Sequence, residues 1–192
     1  RKSMNQKDII DFFDNLAPGW DNEPVNDVVI NKIIDITHLK QGARVLDVAC
    51  GTGVMVPFYL QKGATVVGVD ISEEAIDLAT LTKEKNGFNN FTPVLSDLNE
   101  LRGKVEFGCH NLVTCNPPYK ATDAGIKNPD SVLSVARHEV ACTLEDIVSV
   151  SARLLQTGGR LCMCQRPERL SELICLMSKY KVEPKRLRLV CK

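Results

Sequence analysis

Apolar residues recur at two different periods along this chain. From Asp8 to Ala17, Ile9, Ile10, Phe12, Phe13 and Leu16 fall at helical spacing and Pro18-Gly19 closes the segment, which predicts a short amphipathic helix. Val28, Val29, Ile33, Ile34 and Ile36 share one face of a second helix, which Gly42 interrupts. Beyond that glycine the pattern alternates between short apolar runs and helical segments. Arg44–Val48, Thr65–Val69, Thr92–Leu95, Asn111–Cys115, Arg160–Cys164 and Arg186–Cys191 read as six strands. Helices are predicted over Met55–Gln61, Ser72–Glu84, Thr143–Leu155 and Glu168–Tyr180, with Ser72 as an N-cap and Gly158-Gly159 ending the third of these. Strand and helix alternating at this spacing imply an α/β fold, a doubly wound parallel sheet covered on both faces. Residues 1–192 form one domain, with a helical cap over 1–42 and the sheet over 43–192. Residues 120–135 are the one long irregular loop, of the kind that is functional or mobile.

Composition narrows the class. With 192 residues, 44% hydrophobic and 25% charged, the chain carries material for one ordinary core. No stretch reaches the roughly 18 consecutive apolar residues of a membrane span, and the start lacks an apolar signal region, so the expected location is cytoplasmic. Eight cysteines contain no C-x-x-C pair and three histidines are scattered, so no metal site is expected. The formal net charge is zero, but residues 98–192 hold 15 Lys/Arg against 10 Asp/Glu, while residues 1–97 hold 9 against 14. The basic excess, densest around Lys185, Arg186 and Arg188, forms either a polyanion-binding face or a solvated surface.

Candidate chemistry gathers where strands end. Asp47-Val48-Ala49-Cys50-Gly51-Thr52-Gly53 follows the first strand, and its glycines permit positive φ and close approach of a ligand to the backbone. A dinucleotide fingerprint would place a third glycine at position 56, which is Val56 here. Asp70 ends the second strand, where an acid can accept hydrogen bonds from both hydroxyls of a ribose.

Asp47-x-x-x-Gly51-x-Gly53 followed by Asp70 resembles the class I S-adenosylmethionine (SAM) methyltransferases, which have a Rossmann-like fold. The resemblance implies SAM as cofactor, with Asp47, Ala49, Gly51 and Gly53 at its methionine end and Asp70 and Ile71 at the ribose. Asp97 and Leu98, after the third strand, would meet the adenine, unless Asp97 simply caps the next helix. Asn116-Pro117-Pro118-Tyr119 follows the fourth strand. An exocyclic amine is a poor nucleophile because its lone pair is delocalised into the ring. The Asn116 side-chain oxygen and the Pro117 carbonyl can accept its two N–H bonds and aim the lone pair at the methyl group, while Tyr119 stacks on the base.

From Val113 onward the chain also resembles bacterial tRNA adenine-N6 methyltransferases. The matching stretches are Thr114 to Lys120, Ala136-Arg137-His138-Glu139, Cys142 to Asp146, Arg166 to Leu170 and Tyr180 to Leu187. That likeness implies a tRNA partner contacted through Arg137, Arg166 and Arg169, unless these pair locally with Glu139 or Glu168. His138 reads as a hydrogen-bonding helix residue. Residues 4–85 instead resemble methyltransferases for small molecules, which suggests a recombinant of two class I enzymes or a scaffold without turnover. A class I sheet usually carries a seventh, antiparallel strand, and the sequence ends after the sixth. The sixth strand is then expected either to pair beside the fifth or to leave an edge for a homodimer.

Overall fold

A computed structural model describes residues 6–22, 26–116 and 142–190. Helices α1 (Gln6–Leu16) and α2 (Asp27–Thr37) precede the sheet. The core then runs β1 (Arg44–Val48), α3 (Val56–Gln61), β2 (Thr65–Asp70), α4 (Glu73–Asn86), β3 (Phe91–Leu95), β4 (His110–Cys115), α5 (Leu144–Leu154), β5 (Leu155–Met163) and α6 (Leu170–Lys179). The five strands are all parallel, in the order β3-β2-β1-β4-β5. Strand order reverses between β1 and β4, and open α/β sheets bind ligands at the carboxyl ends of the strands flanking such a reversal.

The two-residue period of the strands divides the sheet into two cores. Val45, Val66, Phe91 and Leu112 face α2, α3 and α4 and pack with Ile34, Tyr59 and Ala79. Leu46, Val48, Val69, Val113 and Cys115 face the other way, against Ile147, Val150 and Leu154 of α5. Helix α6 joins through Leu173 and Met177, which pack on Leu144 and Val148. Two helix starts follow from their caps. Ser72 Oγ accepts from the Ala75 N–H, and Thr143 forms a reciprocal capping box with Asp146.

Two expectations are corrected here. Gly158-Gly159 do not end a helix: α5 stops at Leu154 and the chain passes directly into β5. The glycines instead serve a bulge, because His110 pairs with Leu155 whereas Leu112 already pairs with Arg160. A Cβ on Gly159 would stand 2.8 Å from the His110 carbonyl oxygen, so a side chain there would push the strands apart. The predicted sixth strand is also absent among the described residues. Residues 182–190 carry no regular structure, and Leu187, Leu189 and Val190 are 64%, 70% and 90% exposed. Apolar residues that bury neither face provide no packing to hold a strand, and β5 ends the sheet on that side. Among the described residues no helix is long and apolar enough to cross a membrane, and no cluster of His, Cys, Asp and Glu could hold a metal ion.

Candidate active site

The strand tips lie side by side. Val48 pairs with Val69 on one side and with Cys115 on the other, while Asp70 pairs with Leu95 and Cys115 with Met163. The turn after β1 and the residue after β4 therefore leave from neighbouring strand ends, whose spacing is about 4.8 Å.

The turn is tight, with φ of 55° at Ala49, 56° at Gly51 and 87° at Gly53. Ala49 is a non-glycine residue in left-handed backbone, a strain of about 1 kcal/mol concentrated at the crevice. The Cys50 N–H donates to the Val69 carbonyl at 3.1 Å, and the Gly53 N–H to the Cys50 carbonyl at 3.0 Å. Gly68 is required beneath this turn, since a Cβ there would lie 2.8 Å from Cys50 Sγ and 3.0 Å from Phe91 Cε2.

Asp70 ties the turn to the start of α4. Its Oδ2 accepts from the Gly51 N–H at 2.8 Å and its Oδ1 from the Ser72 N–H at 3.0 Å. Burial pushes its carboxyl pKa up, opposed by the backbone donors of Ser72, Gly51 and Ile71. Each carboxylate oxygen has further lone-pair capacity, so an anchored acceptor remains able to take hydroxyl donors. Helix α1 reaches the same corner through Asp14, whose Oδ1 accepts from Ser72 Oγ at 2.6 Å and from the Glu74 N–H at 3.2 Å.

Asp47 lies deeper, 6% exposed. Its Oδ1 accepts from Thr114 Oγ1 at 2.6 Å, and Thr114 Oγ1 in turn accepts from the Tyr59 hydroxyl at 3.0 Å. Burial raises the Asp47 pKa to about 7, the Thr114 hydrogen bond opposes the rise, and the charge of Asp70 adds to it. Asp14, Tyr59 and Thr114 were not apparent as site residues in the sequence. Thr114 carried a signal in retrospect, since β4 beside β1 sets it opposite Asp47.

The remaining candidates divide. Asp97 Oδ1 accepts from the Asn99 N–H at 2.8 Å and caps the 3-10 turn Leu98–Glu100, the capping alternative noted in the sequence. Leu98 is 7% exposed and its side chain packs in the α5-side core. Asn116 is exposed directly after β4. Pro117, Pro118, Tyr119, Arg137, His138 and the loop over 120–135 lie outside the described residues. Arg166 and Arg169 follow β5 at the same end of the sheet as Asn116. Arg169 makes a bidentate pair at 2.8 and 2.7 Å with Glu172, a local ion pair of the kind weighed against an RNA contact, though with Glu172 in place of Glu168. Arg186 instead meets the His38 ring, on the segment leading into the start of β1, at the opposite end of the strands from Asn116. Lys185 and Arg188 flank it in the exposed stretch.

A family model described as a methyltransferase domain matches residues 39–190. The chain belongs to the class I, SAM-dependent methyltransferase family. Solved structures share the fold of this methyltransferase. The YcgJ protein of Bacillus subtilis superposes with a TM-score of 0.61 at 17% identity, covering 79% of this chain and 66% of that one. A SAM-dependent methyltransferase from Thiobacillus denitrificans, solved with S-adenosylhomocysteine, gives 0.56 at 19% identity, covering 83% and 56%. Among curated proteins, the tRNA1(Val) (adenine(37)-N6)-methyltransferase of Pedobacter heparinus is 33% identical over 126 residues, 62% of this chain and 50% of that protein. The protein of the same name from Porphyromonas gingivalis is 27% identical over 150 residues, 74% and 57%. A ubiquinone biosynthesis O-methyltransferase from Vibrio parahaemolyticus is 26% identical over 121 residues, 59% and 51%. The methyltransferase thus spans about half the length of the curated relatives it matches.

One family model runs without a break from residue 39 to residue 190, across the suggested junction, and a match spanning 74% of the chain necessarily crosses its middle. The suggested recombination, with residues up to 85 from a different source, draws no support from these matches, and neither does a homodimer. The crevice residues fit the family's cofactor. Gly51 is half-buried in left-handed backbone at the strand tips, Gly53 is buried behind it against Val56, Phe91 and Ala79, and two buried carboxylates provide acceptors, Asp70 for hydroxyls and Asp47 for a cationic donor.

Proposed function

We propose that the domain methylates an exocyclic amine, adenine N6 in tRNA, at the crevice between β1 and β4. The observation that carries this reading is the place of Asn116, exposed at the tip of β4 beside the turn that follows β1. When bound, SAM supplies an electrophilic methyl group on sulfonium sulfur. Gly51, Gly53, Asp47 and Asp70 hold the donor on the β1-β2 side. On the β4 side, the Asn116 side-chain oxygen and the Pro117 carbonyl accept the two N–H bonds of the amine. This raises the share of its lone pair available for attack and aims it across the crevice. Proline contributes a carbonyl without a competing N–H. Tyr119 stacks on the base once it is outside a helix. The proton lost from nitrogen passes to water, so the residues named need not include a general base.

The names of the Pedobacter and Porphyromonas relatives support adenine in tRNA as the substrate. A second reading, methylation of a small metabolite, is supported by the ubiquinone-pathway relative. The Asn-Pro pair favours an amine, because a hydroxyl nucleophile would leave one of two acceptors unfilled. The test is transfer of label from tritiated SAM to tRNA isolated from a strain lacking the modification, followed by nucleoside analysis. The proposal expects label in N6-methyladenosine that Asn116→Ala abolishes. Label confined to a small-molecule acceptor would favour the second reading.

A further inference from the structure

The Asp47 carboxylate occupies one position in a row that crosses the sheet. Gly68, Asp47, Thr114 and Cys162 are register partners on consecutive strands, all facing α2 and α3. Gly68 presents no side chain, so polar support on that row comes from the β4 side. Thr114 donates to Asp47 at 2.6 Å, and Tyr59, reaching down from α3, donates to Thr114 at 3.0 Å. Tyr59 is 1% exposed and Thr114 8%, so water competes weakly for either hydroxyl. Each hydroxyl has one donor proton, and this arrangement spends both in one direction, toward the carboxylate. Thr114 cannot donate to Asp47 and to the Leu46 carbonyl, 3.4 Å away, with the same proton. The shorter contact identifies Asp47 as the acceptor.

We infer that Tyr59 and Thr114 are positioning residues for Asp47, a buried hydrogen-bond relay that orients its carboxylate at the root of the β1 turn and so governs affinity for the cationic methionyl end of the cofactor. The inference rests on the cofactor reading of the crevice. A relay directed at a carboxylate stabilises the anion over the neutral acid, because the donated protons favour negative charge. The surroundings provide no substitute. Asp70 and Cys50 face Asp47 from the β2 side and the turn, Tyr59 from α3, and Cys115 from β4, with Cys162 and Cys164 of the β5 side beyond Tyr59. Burial pushes all four thiols and the Tyr59 phenol above their ordinary values, so they stay neutral through the accessible pH range. Asp70 adds like charge, and among the described residues no cation acts on Asp47.

The test is calorimetric titration of the unaltered chain, Thr114→Val, Thr114→Ser and Tyr59→Phe with S-adenosylhomocysteine between pH 5.5 and 9. The unaltered chain should bind more tightly as pH rises through neutrality. Thr114→Val should move that rise upward, leaving affinity about eightfold weaker at pH 6.5 and converging with the unaltered chain near pH 9, as expected for a shift of about one pH unit. Thr114→Ser should restore the original profile. Tyr59→Phe, which keeps the packing, should move it the same way by about twofold, and it stands as the test if the valine variant fails to fold. Superimposable profiles, or a Ser variant that behaves like Val, would overturn the relay while leaving the cofactor reading intact. Absence of binding by the unaltered chain at every pH would overturn that reading and the relay with it.

Discussion

The two carboxylates beneath the crevice are both buried, yet they are held in different ways. Both oxygens of Asp70 are engaged by backbone N–H groups, of Ser72 two positions on and of Gly51 19 positions back in the neighbouring turn. Asp47 instead depends on Thr114, 67 positions away on β4, and on Tyr59 from α3. Asp70 is thus a fixed part of the turn, whereas the charge state of Asp47 is set by tertiary packing. The same contrast separates the two walls of the crevice. The β1-β2 wall is a local motif held by its own backbone. The β4 wall brings Asn116 against it through strand order alone.

The largest expected effect breaks the two walls apart. Asn116→Ala should lower methyl transfer by about a hundredfold or more while leaving S-adenosylhomocysteine affinity within about twofold. Equal losses in both would place Asn116 on the cofactor side. Asp47→Asn sharpens the comparison between the carboxylates. The folded Asp47 group titrates near 7 and the unfolded one near 4, so between those values the folded state holds the extra proton. Stability from the neutral group is full below about pH 4 and lost as pH rises through about 7. The Asn variant should therefore be more stable than the unaltered chain at pH 8, by on the order of 2–4 kcal/mol, with no gain near pH 4, and should bind the cofactor more weakly. Denaturant melts across this range check the sign.

Gly68→Ala probes the backbone of the first wall. With Cys50 Sγ 2.8 Å from the new Cβ, the loss should be roughly 1–3 kcal/mol, read as a lower thermal midpoint. The smallest effect concerns charge at the two ends of the strands. Arg166→Ala should weaken tRNA binding several-fold and reduce its salt slope by about one, and Arg186→Ala should do less, because Arg186 sits against His38 away from the crevice. The reverse order would move the RNA face to the other end of the sheet.

What was legible in the sequence follows the same division. The β1 turn and Asp70 are a local pattern, and the alternating apolar runs placed four strands within a residue of their observed bounds, while the fifth, read as Arg160–Cys164, begins five residues earlier at Leu155. The Gly158-Gly159 pair misled because a glycine pair ends helices and also permits bulges, and only the pairing of β5 with β4 distinguishes the two. Arg186–Cys191 reads as a strand, but Leu187, Leu189 and Val190 are all exposed, which local alternation does not report. The Tyr59-Thr114-Asp47 relay was invisible because it needs the strand order, and Thr114 reads as an ordinary β-branched strand residue until β4 is set beside β1.

The central claim is that the crevice formed by Asp47, Gly51, Gly53 and Asp70 binds a methyl donor. Calorimetric titration with S-adenosylhomocysteine tests it most directly. Saturable binding of one ligand per chain, abolished in Asp70→Ala, is the expected result. A flat titration, or binding that survives loss of the Asp70 carboxylate unchanged, would contradict it.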